Sequence, residues 1–305
     1  MATTTPELNN DPEFSYTPPL TTASAPTLTG SANISIREYI YFLPHPLPNG
    51  TPIPYTPGLP TTNPLHLAPH PFEPTSTLVL TTPGRTFVDL RYLKPTSPST
   101  STLPNRGEPE RLEWGFAGAS SSTPSPSSPH AQYGAFAHAS WTHWLDSRCA
   151  VGKPVPVDEG DMYRLGDGLF LEHGFAFHPH LGRVAGHEEG WRDVDARSTS
   201  PSGSKISVLL RCRDDERGVR GVVVRVGQFC QGIVMVADEV ATERWEFQID
   251  GDKELLEEKR WNRTARTGDF FLPCAVTFRP EVLGLGGSVR CRGFEWVVEE
   301  VWEWK

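Results

Sequence analysis

The chain has 305 residues, which is longer than a typical single domain, so its length predicts two domains. Hydrophobic residues make up 37% and charged residues 21%, which is typical of a globular protein with some unstructured sequence. The net charge of −9 argues against a nucleic-acid partner, because binding to phosphate backbones requires clustered Lys and Arg.

Cysteine usage and hydropathy predict a soluble protein of a reducing compartment. The five cysteines are odd in number, form no CxxC pair and have spacings that indicate neither a disulfide framework nor a zinc site. The N-terminal sequence lacks the basic and apolar regions of a signal peptide. No run approaches the roughly 20 apolar residues needed to cross a bilayer, so we expect no membrane insertion. The cysteines are Cys149, Cys212, Cys230, Cys274 and Cys291.

Proline is distributed unevenly, since 24 of the 30 prolines precede residue 132. Residues 1–32 are rich in Thr, Pro, Ala and Ser with few large apolar groups, and are predicted to form a disordered tail. Similar stretches at 44–72, 94–110 and 119–131 lie between strand-like segments and are predicted to be expanded surface loops.

Between these loops the apolar pattern has a period of two, which is typical of β-strands. Short β-branched and aromatic segments recur in both halves, separated by Gly, Pro and Asp turns, and they favour barrels or sandwiches. Only residues 252–260 have the composition of a short helix, and a polar turn fits them equally well. The predicted strands are 34–42, 77–81, 85–93, 206–212, 219–226, 232–236 and 243–249.

An internal echo predicts a tandem duplication. GDGLFL at 166–171 resembles GDFFL at 268–272, and each is followed by an acidic pair and a tryptophan, in EEGW and EEVW. The two intervals differ by a length that one loop insertion would absorb. The predicted units are a tail at 1–32, a barrel domain at 33–196, a Ser/Gly/Lys linker at 197–205 and a second barrel domain at 206–305.

All ten histidines lie in the first two thirds of the chain, which excludes histidine chemistry from the predicted second domain. His173, His178 and His180 could bind a metal together with Glu172. Their spacing matches no established zinc pattern and a proline interrupts it, so a polar loop is the favoured interpretation. We predict no metal site.

The densest polar and aromatic run is SWTHWLDSR, which ends at Arg148. His143 could form an acid–base pair with a carboxylate, for which Asp146, Asp158 and Glu188 are candidates. The favoured alternative is a structural ion pair of Asp146 with Arg148 at one end of a barrel whose interior is filled by tryptophans. Strand alternation predicts Trp141, His143 and Leu145 on one face and Thr142, Trp144 and Asp146 on the other.

The sequence contains no nucleophile elbow, P-loop, dinucleotide-binding glycine pattern or HExxH motif. It therefore predicts no enzyme, no catalytic residues and no cofactor. The candidate site is a polar and aromatic cluster of the N-terminal barrel. The chain has nine tryptophans, so we expect tryptophan side chains to fill a barrel or to anchor a partner. Its members are Glu113, Trp114, Trp141, His143, Trp144, Asp146, Arg148, Glu172, Glu188, Trp191 and Arg192.

Seven longer runs stand out in the two halves. They are ISIREYIY at 34–41, EWGFAG at 113–118, WTHWLDSR at 141–148, DEGDM at 158–162, EEGWRD at 188–193, VGQFCQG at 226–232 and ERW at 243–245. Together they resemble the fungal Hri family, proteins named for interaction with a yeast casein kinase of the type-one class. The resemblance covers about residues 33–305 and omits the tail and the Pro/Ser-rich loops.

The resemblance implies an all-β fold of two tandem lipocalin-like (calycin-type) antiparallel β-barrels. It implies a homodimer of the cytoplasm, and also of the nucleus, that binds a type-one casein kinase. A contact with the endoplasmic-reticulum translocation machinery is implied as well. The family brings no catalytic activity and no catalytic residues.

Three functions compete at this stage. The leading hypothesis is a non-catalytic adaptor whose barrels present surfaces to protein partners and whose Ser/Thr/Pro loops are phosphorylated. The alternative is a carrier of a small apolar ligand, which requires an empty barrel cavity of roughly 300 Å³ or more. An enzyme that uses His143, Asp146 and Glu172 would require these three groups to converge in a pocket.

Overall fold

A computed structural model describes residues 14–19, 30–51, 53, 72–95, 102–125, 136–166, 168–200, 202–248 and 260–305. These residues form antiparallel strands and four short 3-10 helices, so the predicted all-β class is confirmed. The strands are β1 (Phe14–Thr17), β2 (Asn33–Leu43), β3 (Thr75–Thr81), β4 (Thr86–Leu93), β5 (Leu112–Ser125), β6 (Phe136–Asp146), β7 (Val157–Gly166), β8 (Leu169–His178), β9 (Arg183–Asp193), β10 (Lys205–Asp214), β11 (Val219–Val226), β12 (Phe229–Val236), β13 (Glu239–Phe247), β14 (Trp261–Thr267), β15 (Ser288–Cys291) and β16 (Phe294–Trp304). The 3-10 helices are Pro109–Arg111, Pro179–Leu181, Pro273–Phe278 and Pro280–Val282.

Strands β2 to β9 close into an eight-stranded antiparallel barrel, with β9 pairing back onto β2. Strand β4 shows how its two faces are used. Val88, Leu90 and Tyr92 are fully buried against the second unit, outside the barrel. Asp89 and Arg91 alternate with them and line the interior. On this strand the apolar face is therefore outside the barrel and the charged groups of Asp89 and Arg91 are inside.

The second unit is an eight-stranded sheet in the order β1-β15-β16-β10-β11-β12-β13-β14. Its edge strand β1 comes from the segment predicted as a disordered tail, and this prediction needs a correction at 14–17. Phe14 and Tyr16 pack against the apolar core of the sheet, which supplies the surface that tail composition alone lacks. Of the remaining tail, only residues 18–19 and 30–32 lie among those described.

Apolar side chains fill the inner face of this second sheet. Trp296 is fully buried there, and the 3-10 helix Pro273–Phe278 adds Cys274 and Val276 to the same core. Burial raises the pKa of the Cys212 and Cys291 thiols to about 12, so both are protonated. The second unit thus has an apolar core on its inner face.

The outer face of the second sheet packs against the outer face of the barrel, so the two units share an apolar core. Gln231 Nε2 donates to the carbonyl oxygens of Leu78 and Val88, each at 2.8 Å. Arg244 Nη2 donates to the carbonyl of Leu90 at 2.7 Å. The side chains of Gln231 and Arg244 therefore connect the second sheet to the backbone of the barrel by hydrogen bonds.

Two loop predictions are affected by the strand boundaries. Strand β5 continues to Ser125 and pairs with β6 as far as Phe136, so 119–125 is strand and not part of a loop. Its Ser/Thr/Pro composition is typical of loops, yet the backbone is held by the neighbouring strand. The possible helix at 252–260 lies outside the described residues except for its last position, as does most of 44–72.

Candidate binding cavity

The barrel interior contains a cavity of about 620 Å³. Trp141, Trp191 and Phe116 form part of its wall, together with the carboxylates of Asp158 and Glu172. The tryptophans that were expected to fill a barrel thus line an open space. Their inward position follows from strand alternation, since each is separated by one residue from the next interior side chain.

Arg37 on β2 anchors one side of the interior. Its Nη1 lies 2.5 Å from Oε1 of Glu189, and its Nε lies 2.6 Å from Oε2 of Glu73. Burial alone would raise the pKa of Glu189, but Arg37 and Arg91 outweigh burial and lower it to about 2. Glu189 is therefore ionised at all physiological pH values, and Arg37 is fully paired.

Arg91 on β4 is the second buried guanidinium. Its Nη2 lies 2.8 Å from Oδ2 of Asp89, and its Nη1 lies 3.4 Å from Oε1 of Glu189. The guanidinium also lies over the rings of Trp114 and Phe116, 5.0 and 5.3 Å from their centroids. Burial would lower the pKa of Arg91, but the two carboxylates outweigh burial and raise it.

His143 is the centre of a chain of polar groups beneath the cavity wall. Its Nδ1 lies 2.9 Å from Oδ2 of Asp146, and Asp146 Oδ1 accepts a hydrogen bond from Trp114 Nε1 at 2.8 Å. On its other side, Nε2 lies 3.5 Å from Oδ2 of Asp158, which faces the cavity. The imidazole is stacked on Phe116 at 4.2 Å. The fixed ring connects Asp146 to a cavity carboxylate.

The charge state of this chain follows from its hydrogen bonds. Burial acts to lower the pKa of His143, but Asp146 and Asp158 outweigh burial and raise it. Burial likewise acts to raise the pKa of Asp146, and bonds from His143, the Arg148 backbone and Trp114 outweigh it and lower that pKa. The pair therefore favours imidazolium and carboxylate.

Glu172 on β8 is a buried carboxylate of the cavity wall. Its Oε1 lies 3.7 Å from Nε2 of His187, which is longer than a hydrogen bond. A Cβ at Gly160 on the neighbouring strand would lie 2.8 Å from Cγ of Glu172, so the glycine provides the space for this side chain. Burial raises the pKa of Glu172. Burial also acts to lower the pKa of His187, but Glu172 outweighs it and raises that pKa.

The predicted faces of strand β6 are wrong at its end. The register between β5 and β6 shifts after Ala117, which leaves Trp144 as an extra residue on β6. Leu145 therefore points outward into the core shared with the second unit, and Asp146 points inward to His143. The bulge thus unites His143 and Asp146, which regular alternation would separate.

The predicted ion pair between Asp146 and Arg148 is also wrong. Asp146 Oδ1 accepts a hydrogen bond from the backbone nitrogen of Arg148 at 2.8 Å. The guanidinium turns away to Glu113 at 2.9 Å and lies over the ring of Trp114, 3.9 Å from its centroid. Glu113 and Arg148 therefore pair with each other outside the cavity lining.

Three further members of the predicted cluster lie elsewhere. Arg192 forms an ion pair with Glu38 at the barrel surface. Trp144 lies against the second unit, under the guanidinium of Arg211 at 4.6 Å. Glu188 is fully buried and, by alternation, is directed away from the interior side chains on either side of it. Of the predicted cluster, Trp141, Glu172 and Trp191 line the cavity, and Trp114, His143 and Asp146 lie behind its wall.

The histidine set that was considered for a metal is divided by strand β8. Glu172 lines the cavity, whereas His173 occupies the next position and faces the other side of the sheet. Within the described ranges, no group of three or more His, Cys, Asp and Glu side chains has the geometry of a metal site.

Sequence reasoning missed the ionic part of the site, which consists of Arg37, Glu73, Asp89, Arg91 and Glu189. A signal was present in TFVDLRYL, where Asp89 and Arg91 share the face opposite Val88 and Leu90. A polar face of a strand is normally turned to solvent, so only the closure of the barrel shows that this one is interior.

The comparisons with known proteins agree with this architecture. A family model described as "Protein HRI1" matches residues 59–300, which is most of the chain. The chain belongs to this family. An uncharacterized protein from Saccharomyces cerevisiae has a similar solved structure, with 16% sequence identity and a TM-score of 0.56. That likeness covers 89% of this chain and 99% of the yeast chain, and at this identity it shows the fold alone.

No curated protein matches the chain. Neither the HRI1 family description nor that of the yeast protein mentions a catalytic activity. Among the described residues, no helix has the length and apolar character required to cross a membrane.

Proposed function

We propose that this HRI1-family protein binds a small molecule in the cavity of its barrel. The observation that supports this most directly is the volume of about 620 Å³, which falls within the roughly 300–1,000 Å³ typical of ligand sites. It also exceeds the volume that the carrier hypothesis required. A barrel filled by its own side chains would have favoured a purely structural role.

The composition of the wall supports a ligand with both apolar and polar parts. Trp141, Trp191 and Phe116 provide apolar surface, and few precisely placed polar groups orient a ligand in sites of this kind. The kinase partner, the translocation-machinery contact and the homodimer stay predictions, because they follow from the family resemblance alone.

Native mass spectrometry of the full chain, purified from its own host without detergent, tests the proposal. We expect a reproducible extra mass of a few hundred daltons on each chain. Tryptophan fluorescence provides the second readout, since two tryptophans line the cavity and should respond when an added ligand enters it.

A cavity-filling substitution separates barrel binding from surface binding. Ala139 lines the cavity, so Ala139→Trp should abolish binding. Ser140→Trp is the matched control, because the neighbouring position on β6 faces the opposite side of the strand. A chain mass without any addition, together with no fluorescence response to decylammonium, decanol or decanoate, would contradict the proposed function.

A further inference from the structure

Two carboxylates in the cavity wall lack a close cationic partner. Glu172 is only 7% exposed and its nearest basic group, Nε2 of His187, is 3.7 Å away. Asp158 lies 3.5 Å from Nε2 of His143, whose other nitrogen already binds Asp146. Both distances exceed a normal charge-assisted hydrogen bond of about 2.7–2.9 Å. Each carboxylate can therefore accept a hydrogen bond from a ligand.

The buried arginines of the cavity region are not available to an anion. Arg37 is paired with Glu73 and Glu189, and Arg91 is paired with Asp89 and lies near Glu189. A carboxylate ligand would have to displace one of these partners. It would also leave a buried charge without its counter-ion, which is costly in a protein interior. The ionic cluster thus disfavours anionic ligands.

The interior as a whole has an excess of negative charge. Acidic side chains outnumber basic ones even when both buried histidines are counted as charged. Arg85 and Arg164 also line the cavity, but both are exposed to solvent, which screens their charge. The acidic groups are Glu73, Asp89, Asp146, Asp158, Glu172 and Glu189, and the basic groups are Arg37, Arg91, His143 and His187.

The aromatic wall adds a second feature that suits a cation. Trp141 and Trp191 line the same space as the two carboxylates, and the faces of aromatic rings attract cations within about 6 Å. Trp191 is only 6% exposed, and its Nε1 has no acceptor among the described residues. This donor is available for an oxygen atom of a ligand.

We infer that the cavity is selective for an organic cation, an ammonium group on an apolar body, with Glu172 and Asp158 as its counter-ions. The inference rests on the proposed function and specifies the class of ligand. The ammonium group donates hydrogen bonds to the two carboxylates, and the apolar body lies along the aromatic wall. A hydroxyl or carbonyl oxygen near the ammonium group would accept the hydrogen bond of Trp191.

Three probes of equal chain length test the charge preference on the unmodified full chain. They are decylammonium, decanol and decanoate, titrated separately while tryptophan fluorescence and binding heat are measured. We expect decylammonium to bind about tenfold or more tightly than decanol, which is the scale of one charge-assisted hydrogen bond. Decanoate should bind more weakly than decanol.

Charge-neutral variants identify the counter-ions. Glu172→Gln and Asp158→Asn should each reduce decylammonium affinity by about tenfold and change decanol affinity by less than about threefold. Glu159→Gln is the matched control, since it removes one negative charge from an exposed position on the same strand. Circular dichroism confirms that each variant is folded before its affinities are compared.

The outcomes distinguish the inference from the proposed function. Binding of decanol or decanoate as tight as that of decylammonium would overturn the cation preference and leave the barrel as a binding site. A preference that persists in both variants would overturn the roles of Glu172 and Asp158. Absence of binding by all three probes would overturn the inference, and together with a clean chain mass it would contradict the proposed function as well.

Discussion

His143 is the residue whose charge links folding of the barrel to pH. Its pKa is raised above the ordinary value of 6.5, because Asp146 and Asp158 outweigh the effect of burial. A histidine with a raised folded-state pKa stabilises the fold below its unfolded pKa, and this contribution is lost as pH rises through the folded-state value. We therefore expect this contribution to decline above about pH 6.5.

The contribution is measured by urea unfolding of the wild type and of His143→Gln between about pH 6 and pH 9. The difference in unfolding free energy should be about 1–3 kcal/mol at the acid end and should shrink as the pH rises. His187 also has a raised pKa, but it is present in both proteins and its effect cancels in the difference. A difference that grows with pH would contradict the assignment.

Two paired glycines give a second prediction at the residue scale. Gly160 and Gly174 are opposite each other on β7 and β8. A Cβ at Gly160 would meet Cγ of Glu172 at 2.8 Å, whereas a Cβ at Gly174 would meet the backbone oxygen of Glu159 at 2.7 Å. A side chain can rotate away, but backbone can move only by disturbing the strand pairing.

Gly174→Ala should therefore lower the unfolding free energy more than Gly160→Ala, by about 1–3 kcal/mol, the usual cost of overpacking. Gly160→Ala should instead act on the cavity and weaken decylammonium binding, because it moves Glu172. Urea unfolding and fluorescence titration of the two variants check both statements. If the two variants were equally destabilised and both bound decylammonium as the wild type does, the different roles assigned to Gly174 and Gly160 would be wrong.

At the scale of elements, the sequence predicts most strands but not their exceptions. Strand β4 matches the predicted 85–93 closely, because a period of two and β-branched residues are local signals. The bulge at Trp144 is not a local signal, since it depends on how β5 pairs with β6. The sequence therefore predicts only part of the candidate site, because regular alternation puts Asp146, the partner of His143, on the wrong face.

The internal echo shows a similar limit. EEGW lies on β9 and EEVW on β16, and these strands pair with β2 and β10, the strands that begin the two predicted domains. The first motif begins at Gly166, the last residue of β7, and ends on β8, whereas GDFFL follows the last strand of a meander. The structure thus gives equivalent places to one pair of motifs and different places to the other.

Strand β1 gives the prediction at this scale. Tyr16 packs against the core of the second unit, and its hydroxyl accepts a hydrogen bond from the backbone nitrogen of Gly284 at 2.7 Å. Tyr16→Ala should lower the unfolding free energy by about 2–4 kcal/mol, the scale for loss of a large packed side chain. Ser15→Ala is the control, because Ser15 is exposed on the same strand. Urea unfolding measures both, and equal values would show that β1 adds no stability.

At the scale of the whole molecule, the two units use their interiors differently. The second sheet has a core of apolar side chains, which stabilises it without a ligand. The barrel has an ionic interior with open space, and its apolar face is directed to the second sheet. The barrel therefore depends on its neighbour for apolar burial, which leaves its interior free for polar groups.

This dependence predicts that the units lose stability together. Arg244 is buried between them and donates hydrogen bonds to Leu90 and Ser76 of the barrel. Arg244→Met should lower the unfolding free energy by about 2–4 kcal/mol, because it leaves carbonyl groups buried without donors. Arg213→Met is the control, since Arg213 forms only an exposed pair with Asp215.

Hydrogen exchange shows whether the loss is shared. Amides of β4 in the barrel and of β11 in the second sheet should exchange faster by the same factor in Arg244→Met, because both strands contribute to one apolar core. In Arg213→Met the two strands should keep their wild-type rates. Faster exchange confined to β11 would mean that the barrel holds its fold without the second sheet, and that its polar interior is stabilised by the ion pairs of Arg37 and Arg91 themselves.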